Sequence, residues 1–240
     1  MSFFPSPLPR HAPAAQLGFR QERKYYLTPS DAAVLRQRVA WLLRPDAYSQ
    51  DGPYHISSLY FDDIYDTALR QKQCGALVRD KWRVRWYNGA TAQARLERKH
   101  KCGDLSRKEQ TWLNAAQFER LNRGDCACAA GEDAPVWRAL YAAWLRSWLR
   151  PVVRVDYDRE AFSYTPGNVR VTFDSNLRAA RPGAAFSLPV QTDGLVILEL
   201  KCDGFLPSVV AGLFAGMEFN QLAISKYVMA RFCLMEHGCS

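Results

Sequence analysis

A chain of 240 residues, nearly half of them apolar and 12% aromatic, is long enough to bury a sizeable core and too apolar to stay unfolded. Lys and Arg number 32 against 24 Asp and Glu, giving a net charge of +8 and an isoelectric point near 9.2; that balance points to a polyanionic partner, whether nucleic acid, anionic membrane or a phosphate-rich ligand. No apolar run approaches transmembrane length, and the Pro- and Ala-rich start, residues 1–18, lacks the apolar stretch of a signal peptide, so it reads as a disordered lead to one cytoplasmic domain over residues 19–240.

The first predicted element is a strand from Phe19 to Leu27. Thr28-Pro29-Ser30-Asp31 then supplies cap formers and an early proline ahead of a helix over Ala32 to Leu43. A strand from His55 to Phe61 leads into an acidic helix start at Asp62-Asp63. Strands over Leu77 to Tyr87 and Thr91 to Lys101 flank Asn88-Gly89, a strong hairpin signal, and Leu105 to Trp112 continues the meander. Helices follow over Ala115 to Asn122 and Val136 to Leu149. Further strands run over Val152 to Phe162, Val169 to Leu177 and Leu195 to Cys202, and the chain closes on helical segments near Ser208 to Met217 and Ile224 to Glu236. The seven cysteines contain no Cys-x-x-Cys, and Cys126-Ala-Cys128 has no second pair or His at zinc-finger spacing; they read as reduced thiols.

The informative pattern is the side of each strand that carries charge, because side chains alternate faces with a period of two. Arg79, Lys81, Arg83 and Arg85 fall on one face of their strand, with Val78, Trp82, Val84 and Trp86 on the other. Arg95, Glu97, Lys99 and Lys101 share a face of the next strand, Arg20, Glu22 and Lys24 share one of the first, and Glu199 pairs with Lys201 opposite Val196, Leu198 and Leu200. A single such strand is satisfied by a solvated sheet face with cross-strand ion pairs. Four cations in one row repel one another, and the apolar faces need helices over them. The set therefore implies an α+β fold in which helices flank a closed antiparallel barrel whose lumen is cationic and takes up phosphate. Glu22, Glu97 and Glu199 are either salt-bridge partners or, in a phosphate site, ligands for Mg²⁺ or Mn²⁺.

Beyond the charge pattern, an ordered series of motifs resembles the vacuolar transporter chaperone (VTC) polyphosphate polymerase domain. It comprises Arg20-Gln-Glu22-Arg-Lys24-Tyr25, Ser58-Leu-Tyr60-Phe61-Asp62, Lys81-Trp-Arg83-Val-Arg85-Trp-Tyr87 and Leu96-Glu97-Arg98-Lys99, then Arg150-Pro151 through Tyr157-Asp-Arg159, Arg170-Val-Thr-Phe-Asp174, Leu198-Glu199-Leu-Lys201 and Ser225-Lys226-Tyr227. The resemblance implies the triphosphate tunnel metalloenzyme fold, an eight-stranded antiparallel barrel flanked by helices. It implies that Lys24, Arg83, Arg85, Lys99, Lys201 and Lys226 act on the transferring phosphates, with Lys81, Lys108, Arg159 and Arg170 binding substrate and Ser225 adding a hydroxyl at the tunnel mouth. Strict alternation places Arg154 and Arg159 on opposite faces without saying which points inward. Glu199 would hold the metal, with Glu22 and Glu97 as further candidates. The related CYTH-type triphosphatases begin Glu-x-Glu-x-Lys; Arg20 at the first of these positions departs from that hydrolytic pattern.

The activity so implied is ATP-dependent polyphosphate synthesis, in which the γ-phosphoryl of ATP passes to inorganic polyphosphate or pyrophosphate and ADP leaves. Positioning and charge neutralisation do the work, and an anionic chain end needs no general base. The alternatives are a metal-dependent tripolyphosphatase or nucleoside triphosphatase in the same tunnel, and a polyphosphate-binding module without turnover. Cations on enclosed strand faces do not suit groove reading, so nucleic acid is not expected as a partner, and no motif singles out a protein partner.

Overall fold

The computed structural model describes residues 20–103 and 105–238; the lead expected over residues 1–18 lies outside them. The first strand, β1 (Arg20–Leu27), runs into α1 (Pro29–Leu42), where the Thr28 hydroxyl accepts from the Asp31 amide at 3.1 Å and Pro29 occupies the first turn. The two-residue β2 (Arg44–Pro45) precedes β3 (Tyr54–Asp62), and α2 (Thr67–Gln73) follows. The meander comprises β4 (Val78–Tyr87), β5 (Ala90–Cys102) and β6 (Leu105–Trp112). Its first turn has Asn88 and Gly89 both at positive φ, 48° and 71°, as a two-residue hairpin with right-handed strand twist requires. Helix α3 (Ala115–Asn122) opens on a capping box between Asn114 and Gln117, and α4 (Pro135–Ser147) follows a short 3₁₀ turn at Cys126–Ala129. Then come β7 (Arg150–Tyr164), β8 (Val169–Ala180), the two-residue β9 (Leu188–Pro189), β10 (Val196–Asp203), α5 (Ser208–Gly212) and α6 (Lys226–Glu236).

The strand order is β1-β10-β8-β7-β3-β4-β5-β6, antiparallel throughout, with β2 on β7 and β9 on β8. This corrects the expected closed eight-stranded barrel. All eight long strands are present, but the two short ones make ten, and the hydrogen-bonded path ends at β1 and β6 without joining them. The edge strand β6 is largely exposed and carries Ser, Arg, Lys and Glu, side chains that suit a free edge. The sheet is nonetheless strongly curled. Lys99 on β5 and Glu22 on β1 stand six pairings apart, about 29 Å in a flat sheet, yet Lys99 Nζ lies 3.4 Å from Glu22 Oε2.

Helices cover the convex side. Trp82, Val84, Trp86, Ala94 and Leu96 pack against Phe118 and Leu121 of α3 and Trp137 and Leu140 of α4, so the tryptophans lie outside the curl as the alternation requires. Cys126 and Cys128 sit in this cluster, where burial pushes their thiols up to about 12 and about 11; the described cysteines are all free thiols. On the other half, Leu35 and Val39 of α1 and Val210 of α5 cover Val171, Phe173, Leu198 and Leu200.

The concave side carries the expected charged rows and an apolar patch beside them. Ile56, Tyr60, Val153, Val155 and Tyr157 face inward and are covered by Tyr227, Ala230 and Leu234 of α6. That helix fills one part of the concavity and leaves the charged rows lining the rest.

Candidate functional site

Successive strands contribute matching rows to the concave face. The register opposes Arg83 to Tyr60 and Glu97, and Arg85 to Ser58 and Arg95. Across the curl it opposes Lys24 to Glu199, Glu22 to Lys201 and Arg159 to Asp174. Each row is the polar half of a strand whose other half is core, so the packing that folds the sheet also aims these side chains inward.

The carboxylates are all held by cations. Glu97, only 3% exposed, accepts from Arg83 Nε at 2.6 Å and from Lys108 Nζ at 2.7 Å. Burial opposes its ionisation, but Arg83, Arg85 and Lys108 hold its carboxyl well below the usual range. Glu199 lies 2.6 Å from Lys201 and 3.9 Å from Arg159; against its burial, those cations with Lys24 and Lys226 hold it well below normal. Glu22 is 3.0 Å from Lys24, with Lys99 and Lys201 at 3.4 and 3.8 Å; burial and the Glu199 charge oppose ionisation, and the three lysines prevail. Asp174 grips Arg159 through two bonds of 2.6 and 2.7 Å and Lys226 at 2.6 Å.

Among the described residues, other cations have no carboxylate of their own. Arg85 donates to Ser58 Oγ and the Tyr157 hydroxyl, both at 3.1 Å. Lys81 lies 4.6 Å from the Tyr60 ring centre and 5.6 Å from that of Tyr227, and burial together with Arg83, Lys24 and Lys99 lowers its ammonium to about 8 against the opposing pull of Tyr60. Cations that are desolvated, mutually repelling and held by hydroxyls and rings are electrostatically under-compensated, an arrangement chemically suited to several negative charges at once.

The model of the VTC domain family matches residues 19–235, nearly the whole chain. The chain belongs to the VTC domain family. No curated protein matches the sequence. Among solved structures, the protein PH1819 from Pyrococcus horikoshii OT3 is similar over 91% of this chain and 99% of its own, at 12% identity and a TM-score of 0.45. A "putative adenylate cyclase" from Bacillus halodurans is similar over 92% of each chain, at 12% identity and a TM-score of 0.48.

Within this VTC domain the concavity brings together Lys24, Lys81, Arg83, Arg85, Lys99, Lys108, Arg159, Lys201 and Lys226 among the residues singled out in the sequence. Arg159, not Arg154, faces inward: Arg154 opposes the outward Leu59 and bonds Asp156 on its own strand. Arg170 stands apart from the centre, half-exposed and bonded to Asp46 Oδ2 at 2.7 Å. Ser225 precedes α6 without capping it and lines a cleft with Tyr26, Lys72 and Ile224, whose carbonyl accepts from Lys24 at 3.4 Å. The side chain of Arg20 lies outside the described residues. The three glutamates do not form one cluster; among the described residues no three acidic, His or Cys side chains converge as a metal cage. Glu22 and Glu199 share Lys24 and Lys201, whereas Glu97 is taken by Arg83 and Lys108. The sequence reading missed Asp174 and Tyr60 as site residues. The two-residue period that carries Arg170 also carries Asp174, so that signal was present.

Proposed function

We propose that this VTC domain is an ATP-dependent polyphosphate polymerase that passes the γ-phosphoryl of ATP to the end of a polyphosphate chain and releases ADP. Family membership supports polyphosphate chemistry through the resemblance of its motifs, and one observation carries the choice of acceptor. Among the described residues, Glu22, Glu97, Asp174 and Glu199 on the concave face are each held below their ordinary pKa by adjacent cations and are poor bases. Tyr60, 3% exposed with Lys81 over its ring and Arg83 on its hydroxyl, is shut off from an attacking water. Water as acceptor needs a base to take its proton. A phosphate chain end is already an anion and needs charge neutralisation and alignment, which Arg83, Arg85, Lys81 and Lys24 supply.

Lys81 and Arg85, without carboxylate partners among the described residues, would take the transferring phosphoryl; Lys99, Lys108, Lys201 and Lys226 would exchange part of their pairing with glutamate or aspartate for phosphate oxygens. Arg159 would stay on Asp174 and orient it against Lys226. Glu199 and Glu22, two carboxylates at one edge of a phosphate site, suit Mg²⁺ or Mn²⁺, which complete their oxygen shell with substrate phosphates; Glu97, already bonded on both oxygens, does not. Bound there, the metal would supply neutralisation of charge on the phosphoryl oxygens.

The test is to incubate the purified protein with ATP and Mn²⁺ and follow ADP, orthophosphate and chain length together. Long-chain polyphosphate formed in step with ADP is expected; orthophosphate without chains would identify a hydrolase, and tight polyphosphate binding without ADP a binding module. Glu199→Gln is nearly isosteric and should abolish metal-dependent turnover while leaving the unfolding midpoint within a few degrees of the parent. Full turnover across a metal titration would remove Glu199 from the metal site.

A further inference from the structure

The end of the concave face nearest the Asn88-Gly89 turn is built differently from its centre. Arg95 extends the cationic row of β5, opposite Arg85 on one side and Trp112 on the other. Among the described residues it has no carboxylate and no hydrogen-bond acceptor, and its Nε is buried without a partner. It is held by rings alone, its guanidinium 5.3 Å from the centre of Tyr87 and 4.6 Å from that of Trp112. Tyr87 in turn stacks on Tyr48 at 5.2 Å with 16° between planes. The result is a pile of Tyr48, Tyr87, Arg95 and Trp112. Its last member is 60% exposed, with no further ring against it among the described residues.

An aromatic pile of this kind beside a phosphate receptor calls for a ligand that is anionic at one end and flat and aromatic at the other. Neighbouring strands lie about 4.8 Å apart, so Trp112 stands about 10 Å from Arg85 across β5, room for a sugar and its first phosphate. We propose that the outer face of Trp112 is a stacking platform for the base of a nucleoside triphosphate, with Arg95 on the phosphate nearest the sugar and the outer phosphates reaching Arg85 and Arg83. Trp offers the largest ring surface of any side chain and needs no particular base edge, so the platform distinguishes a nucleotide from bare polyphosphate without distinguishing adenine from guanine. This deepens the reading of the concave site as a polymerase by giving the donor and the growing chain different grips: the donor has a base to stack, and the chain does not.

The experiment measures equilibrium binding of ATP, GTP and inorganic tripolyphosphate by calorimetry, in Mg²⁺, to the parent and to Trp112→Ala and Trp112→Phe. Trp112→Ala is expected to weaken ATP and GTP about tenfold or more and to leave tripolyphosphate unchanged, while Trp112→Phe keeps most of the nucleotide affinity. Equal changes for ATP and tripolyphosphate, or no change for either, would overturn the platform. Because Trp112 is exposed at the end of an edge strand, its truncation leaves the core intact; an unfolding midpoint for each variant checks this. Binding is read without turnover, so the two readings fail separately. A parent that binds ATP through Trp112 but makes no polyphosphate would defeat the polymerase alone. A parent that makes polyphosphate but binds nucleotide equally well without Trp112 would defeat the platform alone, and a parent that binds no ATP would defeat both.

Discussion

Tyr60 is fully enclosed on the concave face, with Lys81 over its ring and Arg83 Nη1 3.4 Å from its hydroxyl. Burial opposes ionisation of the phenol, but Lys81, Arg83 and Arg85 together outweigh it and lower Tyr60 to about 6. In the unfolded chain the same group ionises at about 10. Between these values the unfolded chain holds a proton that the folded one has released, so stability rises with pH; the gain is complete above about 10 and is lost as pH falls through about 6. Lys81, lowered to about 8, adds a slope of the same sign between about 8 and its ordinary value. Urea midpoints of the ligand-free protein should therefore climb from pH 6 to 9, and Tyr60→Phe should flatten the climb. Parallel curves for the two proteins would show that Tyr60 stays neutral. Arg83 makes a second case. Its removal leaves the buried Glu97 carboxylate bonded to Lys108, with only the field of Arg85 besides, and breaking a buried pair costs about 3 kcal/mol. Arg83→Ala should lose stability on that scale, and adding Glu97→Gln should recover part of it in a denaturant double-mutant cycle, because the stranded charge is then gone.

At the scale of elements, α2 and α6 are tied to the sheet through one carboxylate. Asp62 at the end of β3 accepts from the amides of Ala68 and Leu69 at 2.8 and 3.0 Å and from the Tyr227 hydroxyl at 2.6 Å. Asp66, the residue before α2, is in the left-handed region and gives no side-chain cap, so Asp62 and Asp63 satisfy the first turn from a distance. Asp62→Asn should cost about 2 kcal/mol by exchanging charge-assisted bonds for weaker ones, and Tyr227→Phe about 1 kcal/mol; simple additivity in a urea double-mutant cycle would show that the two helices are not coupled through Asp62. The acidic pair was legible in the sequence as a helix start, but the helix begins at Thr67 because the carboxylates cap it through a turn. The Asn88-Gly89 hairpin, the Thr28 and Asn114 caps and the two-residue period of β4 and β5 were legible because each is settled within a few residues. The placement of α6 inside the curl was not. Its Tyr227, Ala230 and Leu234 declare an apolar face, but which face of the sheet they meet depends on contacts with Ile56 and Val155, far off in sequence. Closure of the sheet was illegible for the same reason: alternation shows what faces inward, whereas curvature and the fate of the β1 and β6 edges are properties of the whole.

Over the whole molecule the curl sets rows of like charge opposite one another across a narrow space. Lys24, Lys81, Arg83, Arg85, Lys99 and Lys201 repel, and the carboxylates among them offset only part of that charge. The β1 and β6 edges are not joined by hydrogen bonds, and the Lys99–Glu22 contact that spans the curl is half-exposed, worth little by itself. A ligand with several negative charges, taken up as proposed, would bond to β1, β4, β5 and β10 together and replace repulsion with attraction across the gap. Tripolyphosphate should therefore stabilise the fold beyond its effect as a salt, by about 2.7 kcal/mol at a hundredfold excess over its dissociation constant, with a thermal midpoint several degrees higher. Sodium chloride of equal ionic strength should not match that shift, since a screened charge is still an unbridged one. Hydrogen exchange locates the effect: amides of the edge strands β1 and β6 should slow more on binding than those of β7 and β8, which are paired on both sides in the free protein. Arg85→Ala, which removes a cation without breaking a carboxylate pair, should diminish both the shift and the protection. Protection spread evenly over the ten strands, or a chloride control that reproduces the shift, would mean that the ligand screens the concave charges without bridging the two ends of the sheet.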